Sequence, residues 1–172
     1  MVRELTSSRS STLNLRILKH LSSSQLRPPK LDESEPSYTK SVLFHALEED
    51  LKLIKGIGLK VRGDGAGEKA LPSSALEIPF YPDLAVSLGK QNLWAAEVKL
   101  LRRSGRQSSI ASAIGQATLY RTRYEHVAVI LIDTAPSSTH SQKQLVNQCR
   151  DLGLNIVIRP RIGKMLIPQK MN

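Results

Sequence analysis

The sequence predicts an α/β domain in which a central mixed sheet is flanked by helices. Three observations carry that expectation. Segments with apolar residues every three to four positions alternate with short apolar runs of strand length. Two of those runs, 83–88 and 93–101, are joined by Gly89-Lys90-Gln91-Asn92, a connection suited to an antiparallel hairpin. A third run, 127–132, is apolar throughout and follows an amphipathic segment, as a buried strand does.

Residues 1–36 are rich in Ser, contain Pro28-Pro29 and end in Asp32-Glu33-Ser34-Glu35-Pro36. They read as a basic arm and linker with one short helix, 13–21, ahead of a main domain over 37–172. Ser37 is a suitable N-cap for a helix over 38–55, where Leu43, Ala46, Leu47, Leu51 and Ile54 keep a helical period and Gly56 and Gly58 end it. A short strand follows at 59–62. The loop Gly63-Asp64-Gly65-Ala66-Gly67 lacks the Gly-Lys-Ser/Thr of a phosphate-binding loop, so its glycines read as turn residues. The hairpin comes next. Then Ser108 and Ser109 open a helix to about 124, with Ile110, Ala113, Ile114, Ala117, Tyr120 and Tyr124 on one stripe. The strand 127–132, a helix over 141–152 and a strand over 154–158 complete the order, and 165–167 offers a last edge.

Charge and composition narrow the function. The chain has 172 residues, Lys+Arg 25 against Asp+Glu 15, and a formal net charge of +10. An excess of that size favours an anionic partner, nucleic acid above all. No apolar run approaches the roughly 18 residues a membrane span needs. The first residues show no apolar secretory core. Cys149 is the only cysteine and the four histidines are dispersed, which excludes a zinc finger and an internal disulfide. The expectation is a reduced, intracellular, cytoplasmic protein.

The chemistry concentrates in Tyr81-Pro82-Asp83 and, thirteen residues after Asp83, Glu97-Val98-Lys99. In the hairpin reading Asp83 and Glu97 lie on neighbouring strands. Period-2 alternation puts Glu97 and Lys99 on one face, with Val98 turned away. An acid and a lysine on a strand otherwise made of Leu93, Trp94, Ala95, Ala96, Val98, Leu100 and Leu101 are costly unless paired or bound to a metal. Two converging carboxylates suit Mg²⁺, and a nearby ammonium can orient a water or stabilise charge on a phosphate. The competing reading is a salt bridge from Glu97 to Lys99 or to Arg102 or Arg103, with Asp83 capping a turn.

Pro82-Asp83…Glu97-Val98-Lys99 resembles the signature of the PD-(D/E)XK nucleases, the superfamily of type II restriction endonucleases and archaeal Holliday-junction resolvases. The element order over 38–158 is similar to that family's αβββαβ core, so the resemblance implies a restriction-endonuclease-like fold. It also implies site residues. Asp83 and Glu97, with the backbone carbonyl of Val98, would bind Mg²⁺, and Mn²⁺ would substitute. Lys99 would position the attacking water. Glu48 in Glu48-Glu49-Asp50-Leu51 would be the acid of the first helix, with Glu49 the alternative and three solvated acids the plain reading. Gln116-Ala117-Thr118-Leu119-Tyr120 is similar to the Gln-x-x-x-Tyr of several branches, so Gln116 would help place the scissile strand; Tyr120 equally fits the core stripe. The stretch 63–80 is longer than in minimal resolvases.

The implied activity is hydrolysis of phosphodiester bonds in duplex or branched DNA, in a restriction, repair or resolvase role, by a homodimer where paired strands are cut. Arg102, Arg103, Arg106, Arg121 and Arg123, with Tyr120, would contact DNA. A further basic group, Arg159, Arg161, Lys164 and Lys170, stands near the end. Aromatic residues make up only 4 %, which disfavours single-strand recognition by stacking. Two other readings stay open: a non-catalytic DNA-binding or assembly module on the same fold, and an unrelated basic α/β protein whose Glu97–Lys99 pair is structural.

Overall fold

The computed structural model describes residues 5–23, 25–30, 32–54, 57–63, 68–75, 77–133 and 138–160. Helix α1 (Ser7–Leu21) begins earlier than the 13–21 expected and sends Leu13, Ile17, Leu18 and Leu21 into the interior. The segment read as a separate arm is therefore part of the domain. Four large apolar residues at helical spacing bury too much surface to leave in water, at about 25 cal/mol per Å². Its basic residues are also partly spent. Arg16 grips the Asp50 carboxylate (2.8 and 2.9 Å), and Arg27 makes a bidentate pair with Glu33 (2.6 and 2.7 Å). Arg159, grouped above with the basic residues near the end, is buried; it donates to the carbonyls of Leu21, Ser23 (3.3 Å) and Leu26 (2.9 Å), at and beyond the α1 C-terminus.

The next helix starts at Glu35, not at 38. Helix α2 (Glu35–Tyr38) runs through a π-helical turn, Thr39–Phe44, into α3 (His45–Lys52), and every junction keeps helical dihedrals. Ser34 is the N-cap, accepting from Ser37 N–H at 3.3 Å. Pro36 sits in the first turn, where its missing N–H costs nothing.

Strands β1 (Leu59–Gly63), β4 (Leu84–Leu88), β5 (Gln91–Leu101), β6 (His126–Asp133) and β7 (Asn155–Pro160) form one mixed sheet in the order β1-β4-β5-β6-β7, and a separate minor pair, β2 (Ser73–Ala75) and β3 (Ile78–Phe80), lies between β1 and β4 in the chain. The β1–β4 and β4–β5 pairs are antiparallel; β5–β6 and β6–β7 are parallel, crossed by α4 (Arg106–Tyr120) and α5 (Thr139–Asp151). Even-numbered residues of β4 and β5 (Leu84, Val86, Trp94, Ala96, Val98) face α1 and the 35–52 helix. Odd-numbered ones (Ala85, Ala95, Leu101) face α4 and α5 through Ala113, Ala117, Tyr120 and Cys149. Two crossovers of the same hand, stepping the same way across the sheet, put both helices on one face. The expected α/β class and mixed sheet are thus present. The small β2–β3 hairpin was not anticipated within 63–80, and 161–172, with the expected edge at 165–167, lies outside the described residues.

Candidate active site

The site begins where a strand stops. Strand β4 has five residues and β5 eleven, and their last paired residues are Leu84 and Ala96. On the other side β5 stays paired with β6 as far as Leu101 and Asp133. Beyond Ala96, then, the β4-side edge of β5 has no strand to satisfy it, and carboxylates do so instead. Val98 N–H donates to Asp83 Oδ2 at 2.7 Å, and Leu100 N–H donates to Glu35 Oε2 at 2.7 Å. An unpaired strand N–H is expensive to bury, and a carboxyl oxygen is a replacement acceptor in either protonation state. Pro82-Asp83 directly precedes β4, so as the chain diverges from β5 the Asp83 side chain spans the gap. The Val98 carbonyl points into the same gap, because a residue's N–H and C=O share one side of a strand.

Glu97 and Lys99 alternate onto the α4 face, as expected. Glu97 is 2 % exposed and Lys99 20 %, and Lys99 Nζ lies 2.7 Å from Glu97 Oε1 and 3.2 Å from Glu35 Oε1. The Tyr120 hydroxyl lies 2.7 Å from Glu97 Oε2 and 2.9 Å from the Tyr81 carbonyl, and donates to one at a time. Gln116, with its amide nitrogen turned to the carboxylate, reaches Glu97 Oε1 at 2.5 Å and Oε2 at 3.1 Å. The i,i+4 spacing of Gln116 and Tyr120 thus delivers two donors to one acid.

The electrostatics follow from three carboxylates sharing one ammonium. Burial, then the charge of Glu97, raises Asp83 to about 7 from an ordinary 3.8; the Val98 N–H and Lys99 oppose the rise. Burial also raises Glu97, against the pull of Lys99 and Tyr120. For Lys99, burial works against the charge, but Glu97, Glu35 and Asp83 outweigh it and its pKa rises. Lys99 is therefore an ammonium at neutral pH and not a base. Burial and Glu97 hold the Tyr120 phenol protonated.

These residues fit Mg²⁺. Among the described residues no three Asp, Glu, His or Cys side chains converge as a ready-made metal cage. Mg²⁺ does not need one, since it keeps waters and uses one or two carboxylates together with substrate oxygens. Asp83 and Glu97 would supply those two, and a cation there would relieve the repulsion by which Glu97 helps to raise Asp83.

Gly63 holds the edge of the site. It ends β1 opposite Leu84 with φ +139°, and a Cβ there would stand 2.1 Å from the Asp83 carbonyl oxygen. Only glycine lets β1 pass so close to the residue that carries the carboxylate.

The structure brings together Asp83, Glu97, Val98, Lys99, Gln116 and Tyr120. It does not bring Glu48. That residue lies 13 positions beyond Glu35, roughly 20 Å farther along the helix at 1.5 Å per residue, where it pairs with Lys52 (3.4 Å). Glu49 is exposed on the same distant turn. The acid that the 35–52 helix brings to β5 is Glu35. The signal that could have found it is Ser34-Glu35-Pro36, an N-cap followed by an acid and a first-turn proline, which the linker reading of 32–36 concealed.

The basic residues divide in the same way. Arg102 and Arg103 are exposed on the loop after β5. Arg106 is clamped to the buried Asp133 by two 2.6 Å bonds. Arg121 donates to the Leu152 carbonyl (2.5 Å) and Arg123 to that of Pro72 (2.9 Å), so both brace turns. Tyr120 is fully buried, which removes it from any DNA-contacting surface. No helix among the described residues is long and apolar enough to cross a membrane. In comparisons with known proteins, no family model, no curated protein and no solved structure matches this chain.

Proposed function

We propose that this protein is a Mg²⁺-dependent DNA endonuclease of the PD-(D/E)XK type, on a restriction-endonuclease-like fold, hydrolysing phosphodiester bonds in duplex or branched DNA. The observation that carries the reading is the cluster at the gap between β4 and β5. Asp83, Glu97 and Lys99 come together there from the expected strands, with Gln116 and Tyr120 fixing Glu97. Asp83, Glu97 and the Val98 carbonyl would hold the cation, and Mn²⁺ would replace it. When bound, Mg²⁺ supplies Lewis-acid stabilisation of phosphate charge and a more acidic water.

The chain's own residues supply the rest. Lys99, kept protonated, donates to the attacking water or to a non-bridging phosphate oxygen, where charge builds up during displacement. Glu35 holds Lys99 by its Nζ (3.2 Å) and holds the strand by Leu100 N–H (2.7 Å), so it is a positioning residue for the lysine. Tyr120 and Gln116 donate to Glu97 and hold its carboxylate in place. Arg102 and Arg103, exposed on the loop after β5, would meet the phosphate backbone without reading sequence. A homodimer would bring two such sites to paired strands.

The test is a cleavage panel: supercoiled plasmid, linear duplex, single-stranded and four-way-junction DNA with Mg²⁺, Mn²⁺ or EDTA, for wild type, Asp83→Ala and Lys99→Ala. The reading expects metal-dependent cleavage that both substitutions abolish. Equal cleavage by all three proteins, or none by wild type on any substrate, overturns it.

A further inference from the structure

Strand β1 is an edge of the main sheet: β4 pairs with it on one side, and among the described residues no strand lies on the other. Which of its backbone groups face outward follows from the ladder. Val98 and Leu100 of β5 point their N–H groups to the β4 side, so Trp94 and Ala96 do the same and bond Val86 and Leu84. Ala85 and Ser87 then face β1, where they meet Arg62 and Lys60. The odd residues of β1 are left pointing away from the sheet. Gly63 N–H accordingly donates to the Glu68 carbonyl (3.0 Å), and Leu59 N–H to that of Ile57 (2.8 Å). Val61, between them, turns out an N–H and a carbonyl that have no partner among the described residues.

A trough of 430 Å³ runs beside that edge, its apolar wall made by Leu51, Ile54, Ile57, Leu59 and Val61. A more apolar hollow of 280 Å³ shares Ile54, Ile57 and Leu59 and continues to Leu5 and to Arg9 and Leu13 of α1. The charges along the trough do not cancel. Its acids are engaged, Glu48 with Lys52 (3.4 Å) and Glu68 with Arg62 (3.4 Å). Lys60 and Arg9 are exposed, and among the described residues neither has an ionic partner. Leu59 and Val61 pack toward the helices of the α1 face, so alternation turns Lys60 to the opposite face. The edge thus offers free backbone groups, an apolar wall on one face and spare positive charge.

We propose that β1 receives an extended segment of another protein in which apolar and acidic residues alternate. The segment adds a strand to the sheet by bonding Val61, seats its apolar residues against Leu59, Val61 and the trough wall, and turns its acids to Lys60. A second copy of β1 is a poor occupant. Antiparallel pairing about Val61 sets Lys60 against Arg62 twice, and like charges opposed across a ladder repel. The chain's own end is no better suited: residues 161–172 include Arg161, Lys164 and Lys170 and no acid, and they follow β7, at the opposite edge of the sheet. The proposal stands apart from the nuclease reading and does not depend on it.

The probe is a fluorescein-labelled octapeptide that alternates Val and Glu, with octaglutamate and an alternating Val–Lys peptide as controls. Anisotropy reports binding to the full chain, and NMR reports hydrogen exchange of the Val61 N–H. The variants are Val61→Pro, which removes the outward N–H and no bond to β4, and Lys60→Glu, which changes an exposed side chain. Thermal melting verifies that they fold; should Val61→Pro not, Lys60→Glu and the exchange measurement still decide. Expected is binding of the Val–Glu peptide that slows Val61 exchange, weakens about 10-fold in Lys60→Glu and is lost in Val61→Pro, with neither control bound comparably. Equal binding of octaglutamate, which a protein of charge +10 attracts anywhere, overturns the proposal. So does binding that both variants leave untouched, or no binding of the Val–Glu peptide. A Val61 N–H already protected in the free protein overturns it as well: protection that grows with protein concentration assigns the edge to a second copy, and protection that does not assigns it to the chain itself.

Discussion

Replacing Asp83 by Asn should make the protein more stable while destroying its activity. Asp83 is buried beside Glu97 and its carboxyl is raised to about 7 from an ordinary 3.8. In the folded state it therefore keeps a proton that the unfolded chain has already lost. The stabilisation tied to that proton is complete below about pH 4 and is lost as pH rises through about 7. One pH unit is worth about 1.4 kcal/mol, so holding Asp83 ionised at pH 8 costs on the order of 2–4 kcal/mol. Asparagine stays neutral and its Oδ1 still accepts from Val98 N–H, the bond that Asp83 makes at 2.7 Å. Thermal unfolding in EDTA at pH 8 should show the variant more stable by roughly 5–10 °C. The gap should close toward pH 4. Mg²⁺ should raise the melting temperature of wild type and not of the variant. A variant no more stable than wild type at pH 8, or an advantage independent of pH, would refute the reasoning.

Four further substitutions probe the frame. Glu35→Ala removes the acceptor of Leu100 N–H and one partner of Lys99; it should cost about 1–3 kcal/mol in urea unfolding and lower cleavage at least ~10-fold. Glu48→Ala breaks only an exposed pair with Lys52 and should stay within about 0.5 kcal/mol, with cleavage unchanged. Gly63→Ala drives a methyl group against the Asp83 carbonyl and should cost more than about 2 kcal/mol, with cleavage lost even in the fraction that folds. Arg27 holds Glu33 down at about 2, so that pair contributes stability above the usual carboxylate range and loses it as pH falls toward 2; Glu33→Gln should flatten this acid limb in pH-dependent melting.

The sheet was legible because its strands carry their burial in their composition. The 127–132 run and the 93–101 run are apolar enough to be placed from the sequence, and period 2 alone assigned Glu97 and Lys99 to one face. Gln116 and Tyr120 were legible as an i,i+4 pair, although period gave no means of telling which would be buried. Glu35 was not legible, because the serines, acids and prolines around it resemble a linker until Ser34 is recognised as a cap and Pro36 as a first-turn residue. The π turn at Thr39–Phe44 adds to the difficulty, since it breaks the 3.6 period between α2 and α3. α1 was misjudged for a similar reason: its solvent face is Ser and Arg, while four apolar residues do the packing. Arginine roles such as the Arg106–Asp133 clamp depend on partners distant in the chain, which spacing does not disclose.

The central claim is that Asp83, Glu97 and Lys99 hydrolyse DNA with a divalent cation, and one rate tests it most directly. That rate is the nicking of supercoiled plasmid in Mg²⁺, measured for wild type and for folded Asp83→Asn at equal concentration. The account predicts nicking by wild type that EDTA abolishes, and a loss of at least ~1,000-fold in a variant that is more stable than its parent. Nicking of comparable rate in the two proteins, or nicking that persists in EDTA, would contradict it.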